Sequence, residues 1–300
     1  MSQDGSLTST HTLIEFHCRI PSGLRQDRQA SSELASSKKA NAKRVKVQKN
    51  TFGCDELDIV RKETAKVRSY IYSMTLPWGE SGQRLLANSV QDEVSAKVDD
   101  WIDDIEVKYQ KFLDRYDFIR DESKRELGDL AKDDDYWSVE KLKDKFQLTR
   151  PSAWATSVPD PELDVRAGWS KPQMSRMKDS MQKQNATKVR SACRETADRL
   201  EKVLGRMVER LDKYGKDENG KVVGEFRNTL VGNVRDIAGL LPAFNIENDP
   251  KVEKVRQRII SDLCTVDITD LRKDPDLRKD VKAKAQDILN RVGNFGKDRD

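Results

Sequence analysis

Residues 90–131 read VQDEVSAKVDDWIDDIEVKYQKFLDRYDFIRDESKRELGDLA. Val94, Val98, Trp101, Ile105, Tyr109, Phe112, Tyr116 and Ile119 recur at alternating spacings of three and four, and Ser123, Leu127 and Leu130 extend the row weakly. That period puts them on one side of an α-helix, with carboxylates and lysines on the solvated side. Some forty residues at 1.5 Å each make a rod of about 60 Å. A rod of that length needs a partner of similar length to cover its apolar stripe.

A second such stretch begins at Ser170 and runs to about Tyr214. Its stripe is Met174, Met177, Met181, Val189, Ala192, Thr196, Leu200, Val203, Met207, Leu211 and Tyr214, with Gly215 as C-cap. The two rods, about 90–131 and 170–214, match in length, so the economical prediction is a long antiparallel coiled-coil hairpin. Between them lie a short helix (Val139, Leu142, Phe146) and a loop with Pro151, Pro159, Pro161, Trp154 and Trp169. Upstream, Leu57, Val60, Thr64, Val67, Ile71 and Met74 predict a helix over 55–75 stopped by Pro77 and Gly79. A short helix around Gln83–Ala87 follows, then a capping box from Ser89 and Asp92.

The C-terminal third reads as a small bundle. Phe226, Leu230, Val234, Ile237 and Leu241 line a helix ended by Pro242. Asp249-Pro250 and Asp274-Pro275 each supply an N-cap and a first-turn proline for two more helices. The predicted fold class is therefore all-α, in three parts: a basic, partly disordered N-terminal arm (1–52), a helical hairpin (53–214) and a C-terminal helical bundle (215–300).

Composition agrees. Charged residues make up 36% of the 300, against about 25% in an ordinary globular protein, and helices with a narrow apolar stripe accommodate that excess. Cys18, Cys54, Cys193 and Cys264 form no CxxC pair, which excludes a cysteine-dense secreted scaffold. Residues Met1–Thr12 are polar and carry no apolar signal core. No stretch approaches the roughly 20 apolar residues of a membrane span. The expected location is the cytoplasm, with no membrane partner.

The net charge of +4 is too small to indicate nucleic acid by itself, but its distribution is uneven. In the arm, Lys38, Lys39, Lys43, Arg44, Lys46 and Lys49 stand without an acidic residue among them. Residues 166–194 carry Arg166, Lys171, Arg176, Lys178, Lys183, Lys188, Arg190 and Arg194 against Asp179 alone. Both stretches could track a phosphate backbone, with Trp169 able to stack on a base. The competing reading pairs 166–194 with the acidic cluster Asp99, Asp100, Asp103, Asp104 and Glu106 on the opposing rod. Internal pairing is the favoured of the two.

Other motifs carry less. Gly215-Lys216-Asp217-Glu218-Asn219-Gly220-Lys221-Val222 has the glycine spacing of a phosphate-binding loop. It lacks the hydroxyl residue that holds magnesium and the strand that leads in, so it reads as a turn. His11, His17 and Cys18 match no zinc spacing, and the acidic cluster reads first as a solvated helix face eased by Asp104 and Lys108. Met174, Met177 and Met181 read as core filler before they read as an adaptable binding face. With no paired nucleophile and base, the chain is expected to be non-enzymatic, with no metal and no cofactor.

The stretch Tyr70-Ile71-Tyr72-Ser73-Met74-Thr75-Leu76-Pro77-Trp78-Gly79, then Gly82 and Arg84-Leu85-Leu86, resembles a segment of a family of uncharacterised, mostly helical proteins of tailed bacteriophages and proteobacterial mobile elements. Gly224-Glu225-Phe226-Arg227, Leu240-Leu241-Pro242, Asn245-Ile246 and Asp249-Pro250 are similar to that family too, so the resemblance covers roughly 38–292. Its motifs are structural punctuation. Some members are encoded near ring-forming ATPases of the MoxR type, which implies an adaptor role in the host cell cytoplasm. The leading expectation is an adaptor or scaffold acting through protein–protein contacts, with such an ATPase or a second copy of the chain as partner. The alternative is a nucleic-acid-binding accessory protein that uses Lys38, Lys39, Lys43, Arg44, Lys46 and Lys49 together with Arg176, Lys183, Lys188 and Arg190.

Overall fold

The structure is a computed structural model and describes residues 7–79, 82–150, 155–160, 169–216, 222–224, 227 and 229–293. In its first half these form α1 (Leu7–Thr10), β1 (His11–Ile14), β2 (Cys18–Arg19), β3 (Leu24–Asp27), α2 (Arg28–Ser37), β4 (Val47–Asn50) and α3 (Asp55–Met74). Next come β5 (Leu76–Pro77), β6 (Arg84–Ala87), α4 (Gln91–Asp114), α5 (Tyr116–Leu127), α6 (Val139–Lys145), β7 (Gln147–Leu148) and β8 (Thr156–Ser157). The second half holds α7 (Lys171–Lys213), β9 (Gly215–Lys216), β10 (Val222–Val223), α8 (Thr229–Phe244), α9 (Pro250–Asp262), α10 (Ile268–Lys273) and α11 (Pro275–Val292). The protein is mostly α-helical, with short strands that the all-α expectation did not include. No helix among the described residues is long and apolar enough to cross a membrane.

The chain divides into two compact units, neither continuous in sequence: residues 1–14, 73–92 and 155–300, and residues 15–72 and 93–154. This partition differs from an arm, a hairpin and a bundle, because antiparallel pairing joins strands far apart in the chain. In the first unit β1 lies between β6 and β8, with Leu13 opposite Leu85 and Thr156, and β5 closes the other edge. Residues Gln83–Ala87 are thus mostly strand, not the expected short helix. Leu85, Leu86 and Ala87 are all buried, and such a run cannot be told from a helix by periodicity alone. Pro77 sits on an edge strand, where a missing N–H is tolerated.

Over this sheet and beside it, the C-terminal half of α7 supplies Leu200, Leu204, Met207 and Leu211 to a core shared with α8, α9 and α11. The helix packs chiefly on α11 and then on α8. The expected hairpin of 90–131 with 170–214 is therefore corrected. The two rods fall in different units, and α11, with Val281, Ala285, Ile288 and Val292 at matching spacings, covers the α7 stripe. Both Asp-Pro caps are as expected: Asp249 accepts from the Lys251 N–H, and Asp274 from those of Asp276 and Leu277. Helix α8 runs two residues beyond Pro242, whose missing N–H falls in the last turn. The Phe226 reading lies outside the described residues.

The second unit is built on α3, α4 and α5. Leu57, Val60, Thr64, Val67 and Ile71 are the buried face of α3, as the spacing predicts. The single rod over 90–131 is interrupted at Arg115, and its buried side shifts from Trp101 to Ile102. Phe52, Phe112 and Tyr116 meet edge to face or tilted, at centroid separations of 5.8–6.1 Å, and Phe146 stacks on Tyr109 at 3.9 Å. Residues 7–52 form α1, four strands and α2 across the two units in place of the expected disordered arm. Within that segment β1 belongs to the first unit and β2 to the second, in separate sheets.

His11 is buried on β1, with Nε2 3.3 Å from the Ala243 carbonyl at the end of α8. Burial lowers its pKa below the ordinary imidazole value, and the Ala243 contact only partly offsets that. The unfolded chain therefore binds the proton more readily, so this contribution to stability is complete above the unfolded pKa of about 6.5 and declines as pH falls toward the native value. The urea midpoint of the first unit should drop between pH 7 and pH 5.5, and the drop should shrink in His11→Gln.

Candidate nucleic-acid interface

The first basic surface belongs to the second unit and follows α2. Asp27 caps that helix, its Oδ1 accepting from the Ala30 N–H at 2.9 Å, while Ser31 Oγ accepts from the Val47 N–H and so ties α2 to β4. The helix closes with Ala40 N–H donating to Ala35 O and Lys39 N–H to Ser36 O, with Lys39 at φ +51°. This is the left-handed C-terminal cap in which glycine is preferred. Asn41 then caps a short 3-10 turn over 42–44. The result is a segment on which Lys38, Lys39, Lys43, Arg44 and Lys46 are all exposed, with no ion pair among the described residues.

Lys49 does not belong with them, and this part of the candidate site is corrected. It is 5% exposed on β4. Its Nζ lies 3.1 Å from Asp27, 2.5 Å from Asp135 and 2.6 Å from the Leu130 carbonyl. Burial works against its charge, but the hydrogen bonds to Asp135 and Asp27 more than compensate, so its pKa is raised. Lys49 joins β4 to the segment after α5; it is not available to a phosphate.

The second surface is the N-terminal half of α7, in the first unit. Ser170 opens it with its N–H donated to Gln173 Oε1 at 2.8 Å, and Pro172 occupies the first turn. The first buried side chain of the helix is Ala192, so residues 171–191 keep their side chains at least partly in solvent. At about 100° per residue, Arg176, Lys183, Arg190 and Arg194 fall within roughly 40° of one another on the helix. Met174, Met177 and Met181 stand roughly 150° away around the same helix. The segment thus has a cation stripe about 27 Å long on one side and half-exposed methionines toward the other.

The predicted contacts differ in how free they are. Arg176, Lys183, Lys188 and Arg190 make no ion pair among the described residues. Arg176 Nε donates to the Pro172 carbonyl of its own helix, and Arg190 Nη2 reaches Thr187 Oγ at 3.4 Å. Lys188 is turned aside: its Nζ is 5.4 Å from the centroid of Trp78, and its Cε lies where a Cβ on Gly79 would come within 3.5 Å. Trp169, exposed, immediately precedes the helix. Arg166 lies outside the described residues.

The acidic cluster finds its cations elsewhere. Arg150, two residues beyond β7, reaches Asp103 at 2.5 Å, Glu106 at 3.3 Å and Asp99 at 3.5 Å, and Lys108 takes Asp104. The Asp103 hydrogen bond is the main cause of the raised Arg150 pKa. Sequence reasoning missed Arg150, because no local pattern connects residue 150 to residues 99–106.

Among the described residues no group of three or more His, Cys, Asp or Glu side chains is arranged to hold a metal ion. His11 lies in the first unit and His17 and Cys18 in the second. His17 pairs with Glu15 at 2.8 Å, and Cys18 receives a contact from Arg68. In the glycine-rich stretch, β9 and β10 pair with Gly215 opposite Val223, and 217–221 lie outside the described residues. A strand starts at Val222 where a phosphate loop would open a helix.

These features define a mostly α-helical protein with two polycationic surfaces, one on each unit. Compared with protein-family models, curated proteins and solved structures, the chain matches none. Lys49→Ala removes one partner of a buried pair and should cost about 3 kcal/mol in urea unfolding. It should leave oligonucleotide affinity at 25 °C unchanged. Lys43→Ala with Arg44→Ala should do the opposite, weakening affinity with little change in stability.

Proposed function

We propose that the chain is a non-enzymatic accessory protein that binds the phosphate backbone of nucleic acid through the 38–46 loop and the Arg176–Arg194 stripe. The observation that carries this reading is the charge accounting around the acidic cluster. Arg150 and Lys108, of the same unit, pair with four of its five carboxylates, Asp99, Asp103, Asp104 and Glu106, while Arg176, Lys183 and Arg190 are without ion pairs among the described residues. Most of that cluster thus has cations of its own unit, which supports the nucleic-acid alternative over the internal pairing favoured by the sequence. Cations spaced along a straight helix suit a repeating polyanion, whose bound counterions are released on contact. The resemblance to phage and mobile-element proteins fits a host-cytoplasm protein that handles nucleic acid, and it belongs to the same proposal.

A second reading, the adaptor, rests on Met174, Met177 and Met181. Half-exposed methionines on a straight helix form an adaptable apolar face, suited to a protein partner such as a ring-forming ATPase or another copy of the chain.

Titration of a single-stranded oligonucleotide between about 50 and 200 mM salt separates the two. Wild type should bind with a steep salt slope. The combined change of Arg176, Lys183 and Arg190 to Ala should reduce that slope by about two, whereas changing the three methionines to Gln should not. Absent or salt-independent binding by wild type would sink the nucleic-acid reading and leave the methionine face as the surface to test.

A further inference from the structure

The cation stripe of α7 runs into a cavity. Where α7 meets the loop between α8 and α9, a partly enclosed space of about 490 Å³ opens on the side of the helix that carries Arg190 and Arg194. A shallower space of about 790 Å³ adjoins it and shares Arg190, Glu247 and Asp249. The first lies within the size range of small-ligand sites, about 300–1,000 Å³.

Its walls differ in chemistry. Ala197, Leu200, Phe244 and Val252 make an apolar floor, and Arg190 stands at the rim with Thr187 beside it. Glu247 lies across from α7 and accepts from the Cys193 thiol at 3.5 Å. An ionised carboxylate is an acceptor with about four lone-pair sites, so it suits N–H donors. The loop that carries Glu247 is held rigidly: Asn245 and Asp249 exchange two hydrogen bonds of 2.8 and 3.0 Å, and Asp249 caps α9. A flat aromatic ring with N–H donors on its edge and an anionic group outside suits this arrangement. A nucleobase on a phosphodiester backbone has that form, and proteins that bind single strands commonly draw bases out of the stack into such sites.

We propose that this cavity receives one splayed base of a single strand whose phosphates lie along Arg176, Lys183 and Arg190. The inference rests on the nucleic-acid reading above and adds that the bound form is single-stranded, with one nucleotide held apart from the rest. Arg190, which lines both spaces, would hold the phosphate next to that base.

The test compares a fluorescent single-stranded 12-mer with the same strand made abasic throughout, at about 50 mM salt. For wild type the intact strand should bind about tenfold more tightly, the low end of what one stacked base contributes. Thr187→Trp plugs the rim from an exposed position, and Val252→Phe fills the floor; circular dichroism checks that each remains folded. In both variants the ratio of intact to abasic affinity should fall toward one, while binding of the abasic strand persists. A wild-type ratio near one, or a tenfold ratio retained in both variants, overturns the cavity proposal and leaves backbone binding standing. Failure of wild type to bind either strand overturns both.

Discussion

The burial of one half of α7 is the constraint from which the rest follows. Leu200, Leu204, Met207 and Leu211 lie in the core with α8, α9 and α11, and Lys282 on α11 pairs with Asp212 at the edge of that contact. Residues 171–191 have no buried side chain, and an isolated helix in water must first form an unfavourable nucleus. Extending a helix already nucleated by its packed half requires no second nucleus. The exposed half is also rich in Lys, Arg, Gln and Met, all good helix formers. A rigid rod of charge in solvent is therefore a consequence of the packing at its other end.

A second set of contacts fixes where that rod starts its packed course. Arg199 on α7 donates to the carbonyls of Ser73 and Thr75 at 3.1 and 2.9 Å, and Arg84 donates to the Thr75 carbonyl and hydroxyl. These guanidiniums satisfy the carbonyls of Ser73 and Thr75, where the chain leads into β5. The conspicuous Leu76-Pro77-Trp78-Gly79 segment follows directly, with Leu76 and Trp78 fully buried and Gly79 at φ +93°. Its residues serve the joint between β5, β6 and α7. Lys188 leaning over Trp78 links the same joint to the lower end of the cation stripe.

Periodicity revealed which side of each helix is covered and was silent on what covers it. The α3 stripe was legible residue by residue, and so were the Asp-Pro caps, because both are local. The partner of α7 was not: α4 and α11 carry equally regular stripes, and matched length favoured the wrong one. Strand β6 was hidden because Leu85, Leu86 and Ala87 are buried together, which removes the alternation that marks a half-exposed strand. Of the candidate contacts, the exposed loop cations were legible as a run without acids. Lys49 belonged to the same run, yet Asp27 and Asp135, 22 and 86 positions away in sequence, neutralise it. The cavity was illegible as a site, since its floor is assembled from α7, α8 and α9, and lining residues such as Arg190, Arg194, Leu200 and Asp249 had each drawn attention for a separate local reason.

Among the described residues, two other than glycine adopt positive φ, and they differ in a telling way. Asn248, at φ +51°, lies in the loop that Asn245 and Asp249 brace, and asparagine visits that region readily. Lys39 has the same φ at the end of α2, where glycine would close the helix without the left-handed penalty of about 1 kcal/mol. Nothing in its surroundings requires a lysine, since its side chain is exposed and makes no ion pair among the described residues. What Lys39 contributes is a fifth cation beside Lys38, Lys43, Arg44 and Lys46. A conformational penalty accepted for charge on an exposed loop is consistent with that loop meeting a polyanion, and a purely structural turn gives no reason for it.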